Sequence, residues 1–174
     1  MESRTGGVKL QEFFQEMVET NADKIYRLAL RYTQDKNQAE DLTQETFLRA
    51  YQNLASYDRS KPAGPWLCTI AANLCRNWLR DNRELPFDFT EENILPTNSG
   101  PEELYLQQES ETELLQALEK LPLIYREVLL LRHVGELSYD EIAEALNLEM
   151  SIVKNRLYRG RLMLKSSLIG IREG

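Results

Sequence analysis

Three groups of side chains have the types and spacing to engage another macromolecule. The first is Lys154, Arg156, Arg159, Arg161 and Lys165, set in the stretch Met150 to Lys165 without one acidic residue. Such a run neutralises phosphates, and its neighbours can then read base edges. The second is Thr69, Asn73, Arg76, Arg80 and Arg83, at i, i+4, i+7, i+11 and i+14. It lies beside a loop holding Tyr57, Arg59 and Lys61. Cations, an amide and an aromatic together suit single-stranded nucleic acid, whose unstacked bases meet side-chain pockets. The third is Asp41, Gln44, Glu45 and Leu48, at i, i+3, i+4 and i+7. This polar stripe with one exposed aliphatic suits a protein partner. The pattern offers nothing for catalysis. There is no phosphate-cradling glycine loop, His133 is the single histidine, and the carboxylates are isolated. An enzyme is therefore not expected, and neither is a cofactor.

Helices must position all three groups. Ser138 is a good N-cap, and Glu141 completes a capping box. Ile142, Ala143 and Leu146 recur at helical spacing, with Ala143 small enough for a second helix to cross closely. Asn147 tolerates a left-handed backbone, and Val153 is the apolar plug of the next helix. This is a helix-turn-helix whose second, basic helix fits a DNA major groove. Upstream, Glu111 to Leu121 and a segment starting at Pro122 and ending at Gly135 complete about four short helices.

In the N-terminal part, Val8 to Thr33 reads as helical, with Asn21 as a point of kinking or interruption. Gln38 to Leu54 follows, capped by Asn37, with Ala39, Leu42, Phe47, Ala50, Tyr51 and Leu54 on its buried side. The stretch from Ala55 to Pro65 is a loop by its Pro and Gly content. Trp66 to Arg83 is a third helix with Leu67, Ile70, Ala71, Leu74 and Trp78 as its apolar stripe. Cys68 and Cys75 lie seven apart, about 10 Å along a helix axis, too far to bridge; buried thiols are expected.

The expected fold is all-α: a helical domain over 8–83, an acidic linker over 84–110, and a helix-turn-helix domain over 111–170. A net charge of −7 over 174 residues would count against a nucleic-acid binder, but its distribution removes the objection. From Glu84 to Glu119 there are ten acidic residues and no Lys or Arg, so the rest of the chain carries +3. That linker also has Pro86, Pro96 and Pro101, with Phe87, Phe89, Ile94 and Leu95 as apolar residues able to dock. No apolar run approaches the roughly 20 residues of a membrane span, and the N-terminus lacks a signal-peptide core. A cytoplasmic protein, monomeric when free of partners, is expected.

With these pieces in place, the sequence resembles a bacterial RNA polymerase sigma factor of the extracytoplasmic-function (ECF) group. AEDLTQETFLRAYQNL (Ala39 to Leu54) resembles the second conserved region, and PWLCTIAANLCRNWLRDNR (Pro65 to Arg83) the promoter-melting helix. LPLIYREVLLLRHVGELSYDEIAEALNL (Leu121 to Leu148) and VKNRLYRGR (Val153 to Arg161) resemble the C-terminal region. The resemblance implies core RNA polymerase and promoter DNA as partners, both the duplex upstream element and the melted non-template strand. Asp41, Gln44, Glu45 and Leu48 would dock on the polymerase clamp. Asn73 would contact a flipped-out base, with the Tyr57–Pro65 loop, Arg59 and Lys61 included, shaping its pocket. Arg76, Asn77 and Arg80 would hold the unpaired strand. Lys154, Asn155, Tyr158 and Arg159 would face the upstream element, supported on phosphates by Arg132 and Tyr139. It also implies an anti-sigma factor, often membrane-anchored. The chain departs from the family at Glu149, Ser151 and Ile152, where a Pro and a Gly-Thr pair are common, and at Ala63-Gly64, where an aromatic is common. The alternative is a one-component regulator that binds duplex DNA without polymerase; it leaves the motifs from Ala39 to Arg83 unexplained.

Overall fold

The computed structural model describes residues 2–82 and 111–173. Arg83 and the expected linker over 84–110, with its four docking candidates, lie outside them. The chain divides into two compact units, Met1–Leu85 and Pro86–Gly174. All regular elements among the described residues are helical.

The first unit packs three helices, α1 (Glu2–Thr33), α2 (Lys36–Gln52) and α3 (Ala63–Asn82), each against the other two. Ile25, Leu28, Tyr32, Leu67 and Leu79 are fully buried, and each full burial of such a side chain contributes about 1.5–3 kcal/mol. Ala29, Ala39, Ala50, Ala71 and Ala72 lie between them and let the axes come close. Cys68 and Cys75 are buried free thiols in this core, as expected. Ile70 and Trp78 are only half-buried, at the margin of the α3 stripe.

Three local expectations are corrected. Asn21 does not interrupt α1. Its amide nitrogen donates to the Met17 carbonyl (2.9 Å), and its oxygen lies 3.4 Å from where a Cβ on Gly64 would stand. The missing side chain at Gly64 thus lets the start of α3 approach α1. The cap of α2 is Asp35, not Asn37: its carboxylate accepts from the backbone N–H groups of Asn37 (2.9 Å) and Gln38 (3.1 Å). Tyr51 is 48% exposed rather than buried, and its ring meets half-buried Phe14 edge-on at 5.1 Å.

The second unit is built on α7 (Met150–Glu173), against which α4 (Glu111–Glu119), α5 (Leu123–His133) and α6 (Tyr139–Leu146) all pack. Its core is Val128, Leu131, Leu137, Ile142, Val153 and Leu157, extended by Leu164 and Leu168. α7 continues past the basic stretch that ends at Lys165, with Leu168 buried beyond it. Among the described residues, no helix is long and apolar enough to cross a membrane.

Candidate nucleic-acid and polymerase interfaces

The helix-turn-helix forms as its sequence dictates. The Glu141 N–H donates to Ser138 Oγ (3.2 Å), and the Ser138 N–H donates to Glu141 Oε2 (2.8 Å), closing the capping box. At the other end of α6, Asn147 adopts φ 52° and ψ 51°. The N–H groups of Leu148 and Asn147 reach back to the carbonyls of Ala143 (2.9 Å) and Glu144 (3.3 Å), a Schellman closure. Val153 is fully buried, as a plug must be, while Ala145 lies deeper than Ala143 or Leu146. Gly160 explains how α7 crosses α5: a Cβ there would stand 3.2 Å from Leu129 Cδ1 and 3.3 Å from the Tyr125 carbonyl oxygen.

On this unit Lys154 is exposed, and Tyr158 and Arg159 are half-buried at the surface. Arg132 and Tyr139 come together. The guanidinium lies 5.1 Å from the ring centre while Nη1 donates to the Leu137 carbonyl (2.9 Å), so the cation is held at the start of α6. Asn155 is the least exposed residue of the expected interface set on α7. It is only 8% exposed, because packing covers it and it is engaged within the unit. His133 follows Arg132, and burial, then Arg161 and Arg132, pull its pKa below the ordinary imidazole value. The neutral form is favoured because a third, partly buried cation beside two arginines is costly.

On the first unit, α3 presents Asn73, Asn77 and Arg80 to solvent, with Arg76 half-buried among them. Arg80 Nη2 donates to Asn77 Oδ1 (3.2 Å), linking the two side chains along the helix. Thr69 does not join the exposed line, since its hydroxyl donates to the Pro65 carbonyl (2.9 Å). Arg59 and Lys61 are exposed on the adjoining loop. That loop is internally tied. Asp58 Oδ1 accepts from Ser60 N–H (3.0 Å) and Oγ (2.7 Å), bonds that hold the Asp58 carboxyl below its usual range. Tyr57 stacks on Trp66 with centroids 4.7 Å apart and donates its hydroxyl to the Lys61 carbonyl. Desolvation, then the Asp58 charge, raise the Tyr57 pKa.

On α2, Asp41 and Gln44 are exposed, Leu48 is 52% exposed, and half-buried Glu45 pairs with Arg49 (2.9 Å). Tyr51 prolongs this stripe by one more turn. Sequence reasoning missed it, although Gln44, Leu48 and Tyr51 follow the same i, i+4, i+7 spacing. Among the described residues no group of three or more His, Cys, Asp or Glu side chains could hold a metal ion.

These two surfaces correspond to two family descriptions. Residues 17–84 match sigma-70 region 2, and residues 111–164 match sigma-70 region 4. The chain is 34% identical over 170 residues to the ECF RNA polymerase sigma factor SigW of Bacillus subtilis, covering 91% of this chain and 90% of that one. It is 32% identical over 169 residues to the ECF RNA polymerase sigma factor SigE of Mycolicibacterium smegmatis, covering 94% of this chain and 65% of that one. In fold it is similar to the sigma factor RpoE, solved in complex with the anti-sigma factor NepR from Bartonella quintana. The TM-score is 0.71 and the identity 23%, covering 90% of this chain and 97% of that one. The chain belongs to the ECF family of RNA polymerase sigma factors.

Proposed function

We propose that this sigma factor divides its work between its two units in the way its exposed residues are divided. The first unit, taken as residues 8–83, docks on core polymerase through Asp41, Gln44, Glu45, Leu48 and Tyr51. It then captures the melted non-template strand. Asn73 takes a flipped-out base, Arg76, Asn77 and Arg80 hold the strand, and Arg59 and Lys61 border the pocket. Flipping costs a few kcal/mol, least where the duplex opens readily, so the site selects sequence as well as binding it. The second unit, 111–170, lays the start of α7 in the major groove of the upstream element through Lys154, Tyr158 and Arg159. Arg132 and Tyr139 anchor it on phosphates. The acidic linker, 84–110, joins the two and can follow a route made for RNA. The protein adds no catalysis of its own, and it works in the cytoplasm, where core polymerase is.

The observation that carries this reading is the exposed line Asn73, Asn77, Arg80 beside the tied loop, on a unit matching sigma-70 region 2. In vitro transcription with purified core polymerase and a promoter library tests it. Sequence-selective initiation that depends on the protein is expected. Tight duplex binding without polymerase, and no stimulation of initiation, would favour the one-component regulator instead.

An anti-sigma factor is the proposed regulator. Leu48 and Tyr51 on one unit, and Leu162, Met163 and Ile169 on the other, are apolar and between 40% and 52% exposed. A similar fold was solved bound to such a partner. Membrane anchoring of that partner is part of the proposal. Recovery from the membrane fraction of native cells would support it, and repeated recovery with polymerase alone would remove it.

A further inference from the structure

Phe13 lies on α1, four residues before the stretch that matches sigma-70 region 2. It is the outer ring of a column. The Phe13 and Tyr57 rings are 6.3 Å apart at 24°, and Tyr57 and Trp66 are 4.7 Å apart at 25°. The Arg59 guanidinium carbon stands 4.7 Å from the centre of the Phe13 ring. The loop between is closed by the Tyr57 hydroxyl on the Lys61 carbonyl and by the Asp58–Ser60 bonds. An exposed arginine ordinarily samples many rotamers and forfeits that freedom on binding. Resting on a ring face, Arg59 is already confined, with its N–H groups at the rim still able to donate.

We propose that Phe13 is a positioning residue for the strand-binding loop: by stacking on Tyr57 and seating Arg59, it holds that guanidinium ready for a backbone phosphate of the unpaired strand. This rests on the reading of the first unit as the strand-capturing surface. It extends the surface to the part of α1 that precedes the stretch matching sigma-70 region 2. The quadrupole of the ring matters, because a saturated side chain of similar bulk would fill the space without attracting the cation.

The test uses holoenzyme assembled from core polymerase and the full chain, binding forked promoter DNA with an unpaired non-template strand across a range of salt concentrations. Phe13→Leu and Arg59→Ala are each expected to weaken binding roughly three- to tenfold. Each should also make the slope of log K against log salt shallower by about 0.7, one single-strand phosphate contact. The double variant should bind no more weakly than Arg59→Ala, and Phe13→Tyr should retain the affinity. Weakening by Phe13→Leu with an unchanged salt slope, or losses that multiply in the double variant, would overturn the proposal. So would an equal loss of core-polymerase binding, which would mark Phe13 as a general brace. Wild-type holoenzyme that ignores the unpaired strand removes the underlying reading; wild-type binding that Phe13→Leu leaves intact removes this inference alone.

Discussion

Asn73 is the side chain at which the proposed reading separates polymerase binding from promoter opening. It is exposed on α3, whereas the proposed polymerase stripe lies on α2, and it takes no part in the buried core. Asn73→Ala is therefore expected to abolish promoter opening while leaving polymerase binding and thermal stability unchanged. Permanganate footprinting of the opened region, beside a core-binding assay, checks this. Cys75 is the contrasting case. Burial alone pushes its thiol pKa up to about 12, which disfavours the reactive thiolate and suits a packing role. His133 gives the second unit a pH dependence. Its folded pKa lies below the unfolded value of 6.5, so below that value the unfolded chain binds more protons. The contribution to stability is complete above pH 6.5 and is lost as pH falls through the lower folded pKa. Urea unfolding of the wild type between pH 7.5 and 5 should show this decline, and His133→Gln should flatten that component.

At the scale of elements, the helix-turn-helix is held by its two ends and one crossing. Ser138→Ala removes one half of the capping box and should cost about 1 kcal/mol, read as a shift in the denaturant midpoint of the second unit. Because the cap sets where α6 begins, upstream-element affinity should fall with it. Gly160 acts through space rather than backbone freedom. A leucine there meets Leu129 and a backbone carbonyl that cannot rotate away, so Gly160→Leu should destabilise by about 1–3 kcal/mol or tilt α7. Chemical denaturation and duplex-binding titrations, run together, distinguish the two outcomes. The same logic explains Asn21 and Gly64. An amide that bonds its own helix and faces a glycine costs the helix little, which is why α1 runs through without a break.

For the whole molecule, charge is arranged rather than merely summed. The stretch from Glu84 to Glu119 holds ten acids and no Lys or Arg, while the remainder of the chain is basic by three charges. Free chain at −7 is repelled by DNA at long range, so promoter binding is expected to depend on polymerase. Replacing Glu91, Glu92, Glu102 and Glu103 by Gln raises the net charge to −3. That variant should bind non-specific duplex more tightly at low salt, with the difference vanishing above about 0.5 M as screening shortens the Debye length. Fluorescence anisotropy with a random duplex measures it.

What the sequence by itself determined was whatever short-range chemistry dictates. Ser138, Glu141 and Asn147 act within a few residues of themselves, and each was legible before any packing was known. The basic, aromatic and polar groups were likewise legible as surface patterns, and their order along the chain carried the family. Tertiary structure decided what depends on partners distant in sequence. Tyr51 fits a buried stripe by period but stands half-exposed, its ring edge-on to Phe14. Asn155 sits among recognition residues, yet packing covers it. Phe13 is by sequence one more apolar residue of the first helix, and only folding sets it beside Tyr57 and Arg59, 44 and 46 residues later. Periodicity says which face of a helix a side chain occupies. Only the packing of one helix on another says how far that face is covered and what it meets.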